Sequence, residues 1–481
     1  MKYRNSRIIE SKWYTFVLIL AMFLLFLLYQ IRAQITYTEY FFDIADYVVR
    51  GEGLWKNGHF SLRNFENGFR GYLFPLMIGS MAYLDEHVLN LPDLVYPYRL
   101  LSSALYSGAY YIFAKCIVYE WDSVDETIYH KNRKVTVMCV FMCAVTGVFF
   151  NGLIMYPLSD LPAVCLAFVS SVFVIKAMKE SRKVVLVEAL LAGCFAYMTY
   201  NVRPIYIFFI ILSVIYIVLE SKSLKKLAVL LVMYGIGVFI AGLPQLYVNY
   251  WVEGKATIWV LNDSLFTKQL FWGLKWMRYE AYVGNQLDYL QIEPTLKFID
   301  PVGVELLKWY ETNISNEYTI SGYIRLALHF PLDYLGIMGR HLISLFFPIF
   351  HEQYPKDIYE NRSVIAIASL ILWYFAIMIS AFKARYREWN KKMVLWYIML
   401  CFPSFVILAG AVEQRFFVMI YVLLTVYVVR GLLRRDVRES LKRRWGIEIV
   451  GFIIFSVVFI TVESSVLSEL EYFTLLWNPI R

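Results

Sequence analysis

The sequence predicts an all-α polytopic membrane protein, and three observations carry that prediction. Of the 481 residues, 59% are hydrophobic and only 17% charged. Apolar runs of roughly the 20 residues that a bilayer core requires recur from one end to the other. The Lys and Arg residues collect in short segments between alternate runs, as cytoplasmic loops do. With a mean hydropathy of +0.54, the chain has more apolar surface than one soluble core can hide. The net charge of +8 therefore reads as membrane topology, and no nucleic-acid partner is expected.

Lys2, Arg4, Arg7 and Lys12 precede the first run, residues 13–31. It is longer than a signal-peptide core and lacks a small-residue cleavage site, so it is expected to be an uncleaved anchor with a cytoplasmic N-terminus. Further runs at 95–119, 135–151, 159–177, 184–201, 203–219, 227–250, 364–382, 393–411, 416–431 and 446–464 bring the expectation to about eleven transmembrane helices. The basic clusters at 131–134, 176–183, 222–226, 383–392 and 430–444 then all fall on the side of the N-terminus. That alternation requires the short apolar stretch 72–84 not to cross, which suits a re-entrant or interfacial helix.

Two long segments remain on the outer side. The division expected is an N-terminal transmembrane module, 1–250, with a first outer loop at 32–98; a large outer loop, 251–362; and C-terminal transmembrane helices, 363–481. The large loop has amphipathic stretches, notably 323–350, and is expected to pack on the membrane domain. The six cysteines lie in or beside predicted spans without CxxC spacing, so no disulfide framework or zinc site is indicated.

Charged residues at the outer ends of the spans are the candidates for chemistry. In "TEYFFDIADYVVRGEGLW", Glu39, Asp43, Asp46 and Arg50 share one face of a helix, while Phe41, Phe42, Ala45, Val48 and Val49 cover the other. Such acids either face a cavity or simply meet water. Asp160 opens the fourth span in "NGLIMYPLSDLPAVCLAF", either as a helix cap beside Ser159 and Pro162 or as a second acid of the same pocket. Arg203 in "TYNVRPIY" and Arg415, two residues after Glu413 in "GAVEQRFFVMIY", lie at the same level. They either snorkel and anchor helices or offer planar donors to a phosphate.

An acid after span one, "LSD", "VRP", "GLPQLYVNYWVEGK" and "EQRFF" follow one another in the order seen in GT-C glycosyltransferases. The chain resembles the branch containing the protein O-mannosyltransferases and the lipid A aminoarabinose transferases, over most of residues 13–431. Order and topology carry the likeness, since each motif is short. The family's first-loop pattern of Asp, Tyr, a small residue and Gly is matched by Asp43, Tyr47, Gly51 and Gly58. In a competing register Tyr37 stands where the acid belongs.

The resemblance implies Asp43 as catalytic base, with Glu39, Asp46 and Tyr47 as neighbours, and Asp160 orienting the acceptor or supporting a cation. It places Arg203 and Arg415 on the donor phosphate with Glu413 beside them. Arg70 would precede the segment that dips toward the site. Ile44 stands where a Glu often follows the catalytic Asp, so no cofactor is assigned and a divalent cation stays open. The implied activity is transfer of a sugar from a polyprenyl-phosphate donor to a glycan, lipid or protein acceptor on the outer face of a bacterial inner membrane, among membrane lipids. Two alternatives stand beside it. A polysaccharide polymerase or ligase would use the large loop's Arg278, Arg325, Arg340 and His341. A transporter or flippase of a lipid-linked solute would place ionisable residues inside the spans, where this chain has few.

Overall fold

The computed structural model describes the chain except residues 1, 33–41, 66–69, 91–95, 122–126, 180–183, 262, 282–294, 316, 347–362, 387–389, 469–471 and 474–481. In lipid a backbone must satisfy its own hydrogen bonds, and apolar runs of this length do so as helices. Among the described residues, nine helices are long and apolar enough to cross a membrane: Lys12–Arg32, Ile128–Phe149, Asp160–Lys179, Val185–Val202, Leu224–Glu253, Val364–Arg385, Lys391–Ala409, Gln414–Leu433 and Arg435–Val462. The other two predicted runs also fall on helices. Tyr96–Trp121 is long enough but buries Arg99, Ser102, Ser103 and Ser107, and Pro204–Glu220 is shorter.

One element departs from the all-α expectation. A small antiparallel sheet, ordered β1-β2-β3, joins β1 (Trp276–Ala281), β2 (Thr295–Ile299) and β3 (Tyr472–Phe473). Its register runs from Trp276 opposite Ile299 to Ala281 opposite Thr295, with Lys297 opposite Phe473. Strands this short draw their stability from partners far along the chain, which periodicity cannot reveal.

The helices form two compact units, one of residues 1–147, 153–261 and 390–400, the other of 148–152, 262–389 and 401–481. The division differs from the one expected at 250 and 362. Residues 255–260 stay with the first unit because the Asn249 side chain donates to the Thr257 and Trp259 carbonyls. Chain reversal there starts at Gly254, whose φ of +67° provides the left-handed cap that ends helix Leu224–Glu253.

In the first unit, Asp160–Lys179 is buried on nearly every side, as a uniformly apolar helix must be. It packs against Tyr96–Trp121 and Val184–Val202. Val184–Val202 in turn meets Leu224–Glu253 at Gly193 and Gly237, where a Cβ on either would collide with the opposite backbone. The same device sets the helix Phe42–Gly53 on the helix Leu73–Leu84. A Cβ on Gly51 would stand 2.5 Å from the Pro75 carbonyl and 2.9 Å from the Gly79 nitrogen, and a Cβ on Gly79 would strike Gly51. At 12 residues, Leu73–Leu84 is about 18 Å long, short of the roughly 30 Å of a bilayer core. Between these helices the chain reverses through Asn57 and Gly58, both at positive φ, and Leu54, Phe65, Tyr72 and Val248 close over the turn.

In the second unit, Leu270, Phe271, Leu274, Leu306, Tyr310, Tyr323, Leu326 and Ile337 form a core. The described part of the predicted amphipathic stretch 323–350 lies on two helices, Ile320–His329 and Pro331–Phe346, divided at Pro331 because proline cannot continue the preceding ladder. Ala376, Ile379, Val428 and Val437 form a second cluster between Ser363–Arg385, Val418–Leu433 and the start of Arg435–Ser468. That last helix has no buried residue in its most apolar window.

The Gly51 crossing is testable. Gly51→Ala should destabilise the detergent-solubilised protein by about 1–3 kcal/mol through overpacking. Gly53→Ala, whose Cβ meets nothing nearer than 3.7 Å, should stay within about 0.5 kcal/mol of the parent, as ordinary surface changes do. Equal losses in the two unfolding curves would refute the close contact.

Candidate functional site

Phe42–Gly53 presents Asp43, Asp46, Tyr47 and Arg50 within its first nine residues. Arg50 donates through Nε and Nη2 to Asp46 Oδ1 at 2.8 and 2.7 Å, the i, i+4 pair that the helical spacing allows. The tertiary partner is Arg70, which ends the loop before helix Leu73–Leu84. Its Nη2 donates to Asp43 Oδ1, its Nε lies 3.4 Å from Asp46 Oδ2, and its Nη1 donates to the Tyr47 hydroxyl at 3.1 Å. One planar fork thus engages three side chains of a single helix face. Desolvation works against the charge of Arg70, but the carboxylates of Asp43 and Asp46 outweigh it and hold its pKa above the ordinary guanidinium value.

Tyr47 carries the network onward. Its ring is buried edge-on against Phe74, with centroids 4.8 Å apart, and its hydroxyl lies 2.9 Å from Ser159 Oγ. Burial raises the Tyr47 pKa, so the phenol keeps its proton and can donate it toward Ser159 while accepting from Arg70. Ser159 immediately precedes helix Asp160–Lys179, and its carbonyl accepts the first intrahelical bond, from Ala163 N at 3.1 Å. Asp160 is therefore the first helical residue and not the cap. Its carboxylate, 2% exposed, pairs with Arg203 Nη1, and the positive end of the helix dipole favours an acid at that place. Arg203 sits in the extended link between Val184–Val202 and the turn Pro204–Tyr206.

Asp43, Asp46, Tyr47, Arg70, Asp160 and Arg203 thus come together in the first unit. Three carboxylates, Asp43, Asp46 and Asp160, stand against three guanidiniums, Arg50, Arg70 and Arg203, so these groups balance in charge. Glu39 lies outside the described residues. Arg415 and Glu413 belong to the second unit, where Arg415 Nε lies 2.8 Å from Glu413 Oε2 and both are largely buried. Ser159, the link to Tyr47, is a site residue that sequence reasoning misses, because the two meet only in three dimensions.

In the second unit Arg278, Arg340 and His341 have structural roles. Arg278 donates to Glu280 at 2.9 Å and to Gln414 at 3.0 Å, and Gln414 accepts there while its backbone N–H donates to Glu280 at 2.8 Å. Arg340 grips Asp300 at 2.7 and 2.9 Å, and Asp300 in turn caps helix Pro301–Asn313. The Nδ1 atom of His341 lies 2.7 Å from the Leu408 carbonyl, and burial holds the His341 pKa below the usual imidazole value. Because a carbonyl can only accept, Nδ1 carries the proton. Arg325 is exposed.

The residues around Asp43 suit a cation poorly. Arg70 already bridges Asp43 and Asp46, Ile44 is fully buried in the core, and among the described residues no three His, Cys, Asp or Glu side chains gather as metal ligands do.

Compared with models of known protein families, with curated proteins and with solved structures, the chain matches none. The fold and the site themselves define its class: a helical polytopic membrane protein with a balanced cluster of acids and guanidiniums where several helices begin or end.

Arg70→Ala should cost about 2–4 kcal/mol of stability, since it takes the paired guanidinium from partly buried Asp43 and leaves Asp46 to Arg50. Adding Asp43→Asn should recover part of that loss. A double-mutant cycle in detergent measures the coupling, and strictly additive losses would contradict the pairing.

Proposed function

We propose that this chain is a membrane glycosyltransferase of GT-C type, with about eleven transmembrane helices. It would move a sugar from a polyprenyl-phosphate donor to an acceptor on the outer face of the bacterial plasma membrane. The observation that carries this reading is the Tyr47–Ser159 hydrogen bond, which links the Asp43–Arg70 pair to the Asp160–Arg203 pair. Two acids and two guanidiniums from separate stretches of sequence thereby form one cluster. A lipid-anchored sugar phosphate needs such groups beside the membrane.

In the proposed reaction the acceptor hydroxyl attacks the anomeric carbon while the bond from that carbon to the phosphate oxygen breaks. The proton passes to Asp43 as general base, and the bonding pair leaves with the polyprenyl phosphate. Arg203 would stabilise the charge gathering on that phosphate. Asp160 would orient the acceptor. Because the resting cluster is balanced in charge, an arriving phosphate competes with carboxylates for the guanidiniums, so donor binding loosens an acid. Of the arginines named for the polymerase or ligase alternative, Arg278 holds Gln414 and Arg340 holds the helix-capping Asp300, so both maintain local structure, and Arg325 is exposed. We therefore favour the transferase.

Membranes containing Asp43→Asn should lose transfer from a radiolabelled polyprenyl-phosphate hexose by about 100-fold or more, the usual contribution of a general base, with expression and insertion unchanged. A near-normal rate sinks the proposal. Arg203→Ala should weaken apparent donor affinity; an unchanged affinity removes Arg203 from the site.

A further inference from the structure

The stretch "GLPQLYVNYWVEGK" places Gln245 and Asn249 one turn apart on helix Leu224–Glu253, and both are fully buried. They continue a line of amides that begins at Asn201. Asn201 Nδ2 donates to Gln245 Oε1 at 2.9 Å, Gln245 Nε2 donates to Asn249 Oδ1 at 2.9 Å, and Asn249 Nδ2 donates to the Thr257 and Trp259 carbonyls at 2.7 and 2.8 Å.

The polarity of this line is set from its far end. Two carbonyls can only accept, so Asn249 must turn its NH2 toward them and its oxygen toward Gln245. Gln245 must then present its own oxygen to Asn201, and Asn201 is left with its oxygen facing the other way. Those two outward-facing oxygens meet backbone donors of the segment after Arg70: Tyr72 N at 3.3 Å from Gln245 Oε1 and Leu73 N at 2.9 Å from Asn201 Oδ1. They are two of the first N–H groups of helix Leu73–Leu84, which have no partner within a helix. Gly71 lies so close to Asn201 that a Cβ there would strike the Asn201 carbonyl.

The far end is itself anchored. Tyr197 donates to the Ile258 carbonyl and Tyr200 accepts from Val260 N at 2.8 Å, and both tyrosines belong to the helix that carries Asn201. Every amide in the line is therefore oriented by groups that cannot reverse, and Arg70 is joined directly to the backbone they hold.

We propose that Asn201, Gln245 and Asn249 are positioning residues that set the Arg70 guanidinium against Asp43, Asp46 and Tyr47. They touch neither donor nor acceptor in this scheme. The proposal rests on the glycosyltransferase reading only for its effect on rate.

The test uses the full-length protein in nanodiscs with two variants. Gln245→Met removes the amide at similar volume, while Gln245→Glu, buried as the neutral acid, keeps an acceptor for Tyr72 N–H and for Asn201 and an O–H donor for Asn249. Amide hydrogen exchange of a peptide covering residues 70–74 should speed up in Gln245→Met and stay near the parent in Gln245→Glu. The melting losses of Gln245→Met and Arg70→Ala, residues not in contact, should be coupled, so that the double variant melts no lower than the worse single one.

In the transfer assay Gln245→Met should lower kcat per folded molecule by about 10- to 100-fold, the scale of a small misplacement. KM for the donor should move less than about twofold, as expected when transition-state and not ground-state contacts are lost. Gln245→Glu should restore most of kcat. Should Gln245→Met fail to fold, Asn249→Ser releases only the far end and should give the same pattern at smaller amplitude.

Unchanged exchange, additive melting losses, or an unchanged kcat in an active enzyme would each overturn the positioning role. If the parent transfers no sugar at all, the glycosyltransferase reading falls, and the exchange and melting arms still decide the ladder.

Discussion

Everything about the candidate site depends on one guanidinium being held among two carboxylates and a phenol. Arg70 is mostly withdrawn from water, and an isolated charge there would be costly. It is tolerated because Asp43, Asp46 and Tyr47 meet its planar fork from one helix face. That arrangement demands two things of the backbone. The helix Phe42–Gly53 must lie tightly on Leu73–Leu84, which the glycine-to-glycine crossing permits, and the turn before Leu73 must be fixed, which buried amides accomplish. A displacement in either would open an ion pair whose members have little water to fall back on.

The contrast with the second unit is instructive. Arg278 and Arg340 are also paired, yet each of those pairs completes a local piece of structure. Arg278 ties β1 to the turn at Gln414, and Arg340 holds the acid that caps a helix. Arg70 and Arg203 join elements of the first unit: Arg70 ties the segment before Leu73–Leu84 to the face of Phe42–Gly53, and Arg203 ties the link after Val184–Val202 to the first residue of Asp160–Lys179. Pairing alone therefore does not tell which arginines meet a ligand.

Much of this is readable along the chain. The apolar runs are, because lipid imposes a length and a composition on any spanning helix. Asp43, Asp46 and Tyr47 are readable as neighbours, because helical spacing puts them on one face. The pairing of Asp160 with Arg203 and of Tyr47 with Ser159 is not, since each joins residues from different helices and no periodicity encodes such a meeting. By its local sequence Asp160 suits capping equally well; only the start of its helix at Ser159 decides otherwise. The β1–β2 strands escape notice for a related reason: a six-residue strand with aromatic and charged residues reads as loop until its partner is known. Gln245 and Asn249 share a visible face but have no visible purpose without Asn201.

The last helix, Arg435–Ser468, stands at the opposite extreme from the amide ladder. No residue of its apolar window is fully buried; Phe452, Phe455 and Phe459 on one side meet Tyr374 and Phe346, and on the other side no neighbour among the described residues dictates which apolar side chain stands at each place. Apart from spots such as Gly451, which lies against Tyr374, one aliphatic residue can replace another there without opening a cavity. Along the lipid-facing side of this helix the requirement is that oiliness be kept, whereas in the ladder a single exchange of amide for hydrocarbon leaves a buried partner unmet. The two segments lie in one polypeptide and evolve under different constraints: bulk composition for one, atom-by-atom complementarity for the other.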